Sequence, residues 1–237
     1  MKLCSDSKMV PNGSFLKYIL YSKTKKGGSM KRSNFFIVLV MLAVVVSGCA
    51  YNAKIIDRSD VYNMPMIQGA PKIILADLND NRTDKKTVGQ ISALVLTSQT
   101  AISAVLTNRI ATRLRDEGFN VQKVNLSKSM DKSEMLEVLK SNSGRAFLSG
   151  GLDNFFIASF DAVMEKAKGT VTFYIKSFDK DGNVIFDKNY SAYAENWIGL
   201  TGQFGAEKLI EQSIQASVDE LFKDQEFRNL LEKIRKQ

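Results

Sequence analysis

"GTVTFYIKSFDKDGNVIFDKNYSAYA", residues 169–194, decides the fold. Val171, Phe173 and Ile175 alternate with Thr172, Tyr174 and Lys176, the two-residue period of a half-buried strand. Asp181-Gly182 breaks the alternation and a second run begins at Val184. Asp-Gly between two such runs marks a hairpin, because glycine takes the positive φ that the tight turn needs. Upstream, "AFLSGGLDNFFIASF" from Ala146 reads as a third strand, so the second half of the chain is a meander.

Helical periods flank this meander. Ile102, Val105, Leu106, Ile110 and Leu114 lie on one stripe of a helix predicted from about Thr100 to Glu117, which Ser98 or Thr100 can cap and Gly118 can end. Residues 127–140 form a shorter helix candidate with Ser129, Asp131 or Ser133 as its cap and Met135, Leu136 and Leu139 as its apolar side. After the meander, Leu209, Ile210, Ile214, Val218 and Leu221 mark a helix from Ala206 to Phe222. Asp224 can cap a last helix with a stripe of Phe227, Leu230, Leu231 and Ile234 and a basic end that suits the helix dipole. Before the first helix, "KIILADL" (72–78) reads as a strand, "NDNRTDKK" (79–86) as a loop and "QISALVLTS" (90–98) as one more strand.

Strands that follow one another, instead of each being followed by a helix, predict an antiparallel or mixed sheet. The predicted fold is α+β: a two-layer sandwich whose sheet of about four to five strands carries its helices on one face.

The start of the chain gives an address. Lys31 and Arg32 precede an uncharged apolar run, Phe35 to Val46, too short to span a bilayer and of the length that a secretory signal uses. It ends in Val46-Ser47-Gly48-Cys49, the pattern of a bacterial lipobox, in which small residues let a peptidase cleave between Gly48 and a lipid-modified Cys49. Met30-Lys31-Arg32 already opens such a signal, and Lys25-Lys26-Gly27-Gly28 is what a purine-rich ribosome-binding sequence would encode. The expected organisation is therefore an upstream extension over 1–29, a signal peptide over 30–48, a lipidated tether over 49–70, with room for one short strand and with Pro65 and Pro71 in and beside it, and a single periplasmic domain over 71–237.

Removing that leader changes the composition. The whole chain has 33 basic and 25 acidic residues; residues 1–48 hold eight of the former and one of the latter, which leaves 25 against 24. The mature part is nearly neutral, so the high pI is no argument for a nucleic-acid partner. The chain has two cysteines and no histidine. With Cys49 acylated no disulfide can form, and neither a Ser-His-Asp nor a Cys-His pair can be built. The sequence predicts no enzyme, no cofactor and no metal.

Few stretches resemble a ligand site. Asp77, Asn79 and Asn81 alternate as in a calcium loop, but Arg82 replaces the required glycine and Val88 the bidentate glutamate. Gly150-Gly151 and Gly199, Gly202 and Gly205 lack the context of phosphate loops and read as a bulge and a flexible loop. "NWIGLTGQF" (196–204) gathers Trp197, Ile198, Leu200 and Phe204 without periodicity; it reads either as a cap on the sheet or as a docking loop with an aromatic anchor. The terminal helix has the same two readings.

The lipobox ending at Cys49, "DNRTD" (80–84), "RLRDEGFNV" (113–121), "NYSAYAEN" (189–196) and "ELFKDQEFRNLLEK" (220–233) together resemble the YajG family of bacterial lipoproteins over roughly residues 30–237. The resemblance implies an envelope lipoprotein with no established catalytic residues, and it places Asp80, Arg82 and Asp84 on a family pattern that serves either as a salt-linked loop or as a binding site. The expectation is an outer-membrane-anchored protein facing the periplasm, attached by its acyl chains, that binds or scaffolds another envelope protein; its oligomeric state is open. The alternative is an accessory subunit of a lipid or lipopolysaccharide transport complex, which predicts an apolar groove between sheet and helices.

Overall fold

A computed structural model describes residues 50–57, 59–91, 94–125, 131–159, 166–197 and 203–237, the side chains of Gln203 and Phe204 excepted. The lipobox, Cys49, Ile198, Leu200, Gly199 and Gly202 lie outside the described residues. The meander is present: β7 (Ala146–Ser159), β8 (Lys166–Phe178) and β9 (Val184–Trp197) pair antiparallel along their lengths. Gly182 turns the hairpin with φ +74°, and the Asp179 carboxylate accepts the backbone N–H groups of Asp181 and Asn183. The bulge predicted at Gly150-Gly151 falls slightly later, where the β7–β8 register shifts between Leu152 and Asn154.

The free edge of β7 takes three partners in succession, all parallel: β2 (Lys72–Ala76), the two-residue β3 (Asn79–Asp80) and β4 (Thr87–Ile91). β6 (Asn120–Val124) extends the sheet beyond β2, and β5 (Leu94–Ser98) followed by β1 (Ala50–Ala53) extends it beyond β4. The described residues thus form a mixed sheet of nine strands, not four to five. Part of the difference is "QISALVLTS", which is two antiparallel strands, β4 and β5, and not one.

The rest is β3 in the stretch expected as a loop, β6 after the first predicted helix, and one strand in the segment expected to be a tether. Its first residues are β1, an edge strand parallel to β5, and a 3-10 turn over Ser59–Asn63 buries Val61. Glu207 clamps the strand, accepting the Tyr51 hydroxyl at 2.7 Å and the Lys54 N–H at 2.9 Å. Asn120 holds the approach to β2, accepting the Ile67 N–H and donating to the Ile67 and Ala70 carbonyls. Residues 50–71 are part of the domain, which begins at Ala50.

Helices α1 (Ile102–Asp116), α3 (Gln203–Lys223) and α4 (Gln225–Lys236) share one face of the sheet and close the main core with Phe119, Phe155, Phe173 and Phe227 at its centre. Those side chains fill the space between sheet and helices where the transport-subunit reading expects a groove. α2 (Lys132–Ser141) starts with a reciprocal capping box between Asp131 and Glu134. It corrects the one-face expectation, since Met135 and Leu139 pack with Ile74, Ala76 and Phe147 on the opposite face. β6 and β7 are parallel and flank β2, so α2 crosses over β2, and it does so on the face opposite the other helices.

Candidate interaction surface

α2 covers only one end of its face. Ile74, Phe147 and Phe178 are cross-strand partners beneath it. Counting by twos from Phe178 toward the start of β8, the same face presents Lys176, Tyr174, Thr172, Thr170, Lys168 and Lys166. β7 adds Asn154, Phe156 and Ala158 there, and β9 adds Tyr193, Glu195 and Trp197. No described residue covers this second half.

Three aromatic rings stand out of it: Phe156 is 41%, Tyr193 62% and Trp197 63% exposed. Two lysines lie against the rings, Lys166 Nζ 5.8 Å from the centre of Trp197 and Lys168 Nζ 4.2 Å from that of Tyr193. Each such contact is worth about 0.5–1 kcal/mol at an exposed site and holds the lysine stem along the ring. Beside Phe156, on the β7–β8 part of this face, Asn154, Ala158, Lys166, Lys168 and Thr170 border an open depression of about 450 Å³. Exposed amphipathic rings beside cations form a surface suited to a partner that offers both apolar and anionic groups.

Trp197 is therefore the last residue of β9 and not a loop residue, and its ring is exposed and does not cap the sheet. Ile198 and Leu200 lie outside the described residues; Phe204, taken for a loop residue, is in the first turn of α3, with Gly205 after it. Sequence reasoning missed Phe156, Lys166, Lys168 and Tyr193. The signal was available: each has the outward parity of its strand, opposite to Val171 and Phe173.

Asp80, Arg82 and Asp84 form a different kind of cluster. Arg82 grips Asp80 with two hydrogen bonds of 2.9 and 2.8 Å and donates to the Lys85 and Thr87 carbonyls at 3.0 and 3.3 Å. Asp84 accepts the backbone N–H groups of Lys86 and Thr87. The Thr87 hydroxyl and then these N–H groups hold its carboxyl below the usual aspartate value. These groups satisfy one another and close the loop that leads into β4. Asp77 pairs with Lys123 at 2.6 Å and the Asn81 amide donates to Asp153, so the residues of the calcium-like pattern turn to separate partners. The terminal helix buries its whole stripe, Phe227, Leu230, Leu231 and Ile234, on the domain.

No family model matches this sequence, and no curated protein matches it. Among solved structures, the chain is similar to a Xanthomonas campestris protein of the DUF330 family, with 10% identity, a TM-score of 0.47, and 78% of this chain and 99% of that one covered. It is also similar to lipoprotein GNA1162 from Neisseria meningitidis, with 10% identity, a TM-score of 0.42 and coverage of 65% and 99%. A PelC dodecamer from Paraburkholderia phytofirmans gives 13% identity, a TM-score of 0.42 and coverage of 66% and 90%.

Proposed function

We propose that this chain is a cell-envelope lipoprotein, akin to the YajG family, held at the periplasmic face of an outer membrane by acyl chains on Cys49, whose domain binds or scaffolds another envelope component without catalysing a reaction. The observation that carries this reading is the lipobox itself: a basic start and an uncharged apolar run lead into Val46-Ser47-Gly48-Cys49, so cleavage between Gly48 and Cys49 releases a chain whose acylated first residue precedes β1. Ala50, with no aspartate in that position, suits onward transport to the outer membrane. Two or more acyl chains hold a protein stably where one holds it only marginally. The uncovered face of Phe156, Tyr193 and Trp197 supports a binding role, because it offers a contact surface that the domain's own elements leave open.

Replacing the acylated residue tests the anchor. A Cys49→Ser variant whose residues 30–48 are exchanged for an ordinary cleaved secretion signal is expected to leave the membrane fraction and appear in the soluble periplasmic extract with its domain folded. A variant that stays with the membranes after a high-salt wash contradicts lipid anchoring.

A further inference from the structure

Ala50, the first described residue, and the aromatic surface belong to the same end of the sheet. One row of paired residues crosses it from β1 to β9: Ala50 stands opposite Val95, Val95 opposite Gln90, Gln90 opposite Ala158, Ala158 opposite Lys168, and Lys168 opposite Glu195. Partners in such a row share a face, so Ala50 and Lys168 lie on the same, uncovered side. Lys166 and Trp197 pair beyond this row, closer to the sheet's end. Cys49 is the residue before Ala50 in the chain.

These positions leave the domain little freedom. With β1 clamped by Glu207, no slack chain separates the acylated residue from the sheet. Five strand spacings of about 4.8 Å take the row roughly 24 Å from β1 to β9.

We infer that this end of the sheet, with Phe156, Lys166, Lys168, Tyr193 and Trp197, lies on the surface of the bilayer that holds Cys49 and fixes the domain's orientation there. The inference rests on the proposed acylation of Cys49. Tryptophan and tyrosine favour headgroup depth, where the ring is half apolar and half wet. Lysines whose stems run along those rings reach lipid phosphates with their ammonium groups. Glu195 opposes Lys168 in the row, so two cations face one anion and the rings supply most of the attraction. That is enough for orientation, because the acyl chains already hold the surface at a high effective concentration of lipid.

Trp197 is the only tryptophan of the chain, so its fluorescence reports on this surface alone. The full-length protein is extracted from membranes, its Cys49 peptide is weighed, and the protein is returned to vesicles of phosphatidylethanolamine and phosphatidylglycerol. Lipids brominated near the glycerol end of their chains are expected to quench Trp197 about twofold or more, and aqueous iodide to quench it little. A Lys166→Glu/Lys168→Glu variant with the same acylation is expected to lose roughly half of the lipid quenching and to become open to iodide. An acylated protein whose Trp197 is reached by iodide and not by brominated lipid overturns the docking and leaves the anchor intact. An unmodified Cys49 overturns the anchor and the docking together. A photoreactive group at Tyr193 that joins a protein, and not lipid, in intact cells also overturns the bilayer as occupant.

Discussion

Arg82 and Asp80 keep only 6% and 8% of their side-chain surfaces exposed, yet they sit in a loop whose sequence is almost entirely polar. Two charges removed from water are tolerable when they are paired and when the remaining guanidinium hydrogens find carbonyls, as they do on Lys85 and Thr87. Arg82→Met therefore leaves a buried carboxylate alone and is expected to lower stability by about 3 kcal/mol. Arg82→Met combined with Asp80→Leu is expected to recover most of that loss. Urea unfolding of the two variants checks both numbers, and an unchanged midpoint for the single variant would mean that the loop does not bury the pair. Gly169 shows the same logic for volume. A Cβ built there would stand 2.1 Å from the Ser213 Oγ, where α3 presses on β8. Gly169→Ala is expected to cost about 2 kcal/mol by overpacking, and Ser213→Ala in the same chain to relieve part of it, measured by thermal unfolding. The pair was not legible in the sequence, because "NDNRTDKK" carries no sign that one arginine turns inward. The glycine was visible only as a break in the alternation of β8.

At the level of elements, the parts read well from the sequence are those with a period and a punctuation mark. The hairpin at Gly182, the capped starts of α2 and α4 and the stripes of α1 and α3 appear within a few residues of their predicted places. The parts misread lack one of the two. No glycine, proline, asparagine or aspartate stands between Ile91 and Leu94, so β4 and β5 look like one strand. The side of the sheet that α2 takes is not written in its own apolar stripe. It was written in Ala146-Phe147-Leu148, a run buried on both faces, which is the mark of a strand with a layer on each side. β1 has four residues and no pattern, and what holds it is its pairing with β5 and the clamp of Glu207, more than 150 positions away. The Lys54 N–H first, and then the Tyr51 hydroxyl, hold the Glu207 carboxyl below its ordinary value. A carboxyl lowered by folding contributes stability that is complete above its unfolded value and is lost as the pH falls through its folded one. Acid is therefore expected to free residues 50–56 before the core opens. Glu207→Ala is expected to do so at neutral pH, speeding amide exchange there about tenfold. Exchange measured at pH 7 and pH 3 on both proteins tests this, and uniform protection of the segment in all four samples would contradict it.

For the molecule as a whole, the decisive relation is between two things of which the sequence showed only one. The lipobox was legible, and with it the expectation of an anchor. The seating of the domain was not, since residues 50–71 are polar and irregular enough to pass for a tether, and only the pairing of β1 with β5 shows that the fold already includes Ala50. The aromatic surface was half legible. Trp197 drew notice by its type, but its neighbours on the surface, Phe156, Lys166, Lys168 and Tyr193, are joined to it by strand register and not by proximity in the chain. A lipoprotein built this way holds its domain at a fixed height on the membrane and not on a leash, and any partner meets it in one orientation. The measurement that tests this account most directly is the mass of the first peptide of the protein isolated from bacterial membranes. The expected chain begins at Cys49 and carries a diacylglyceryl thioether with a third acyl group on its amine. A chain that continues upstream through Gly48, with an unmodified Cys49 thiol, would contradict it.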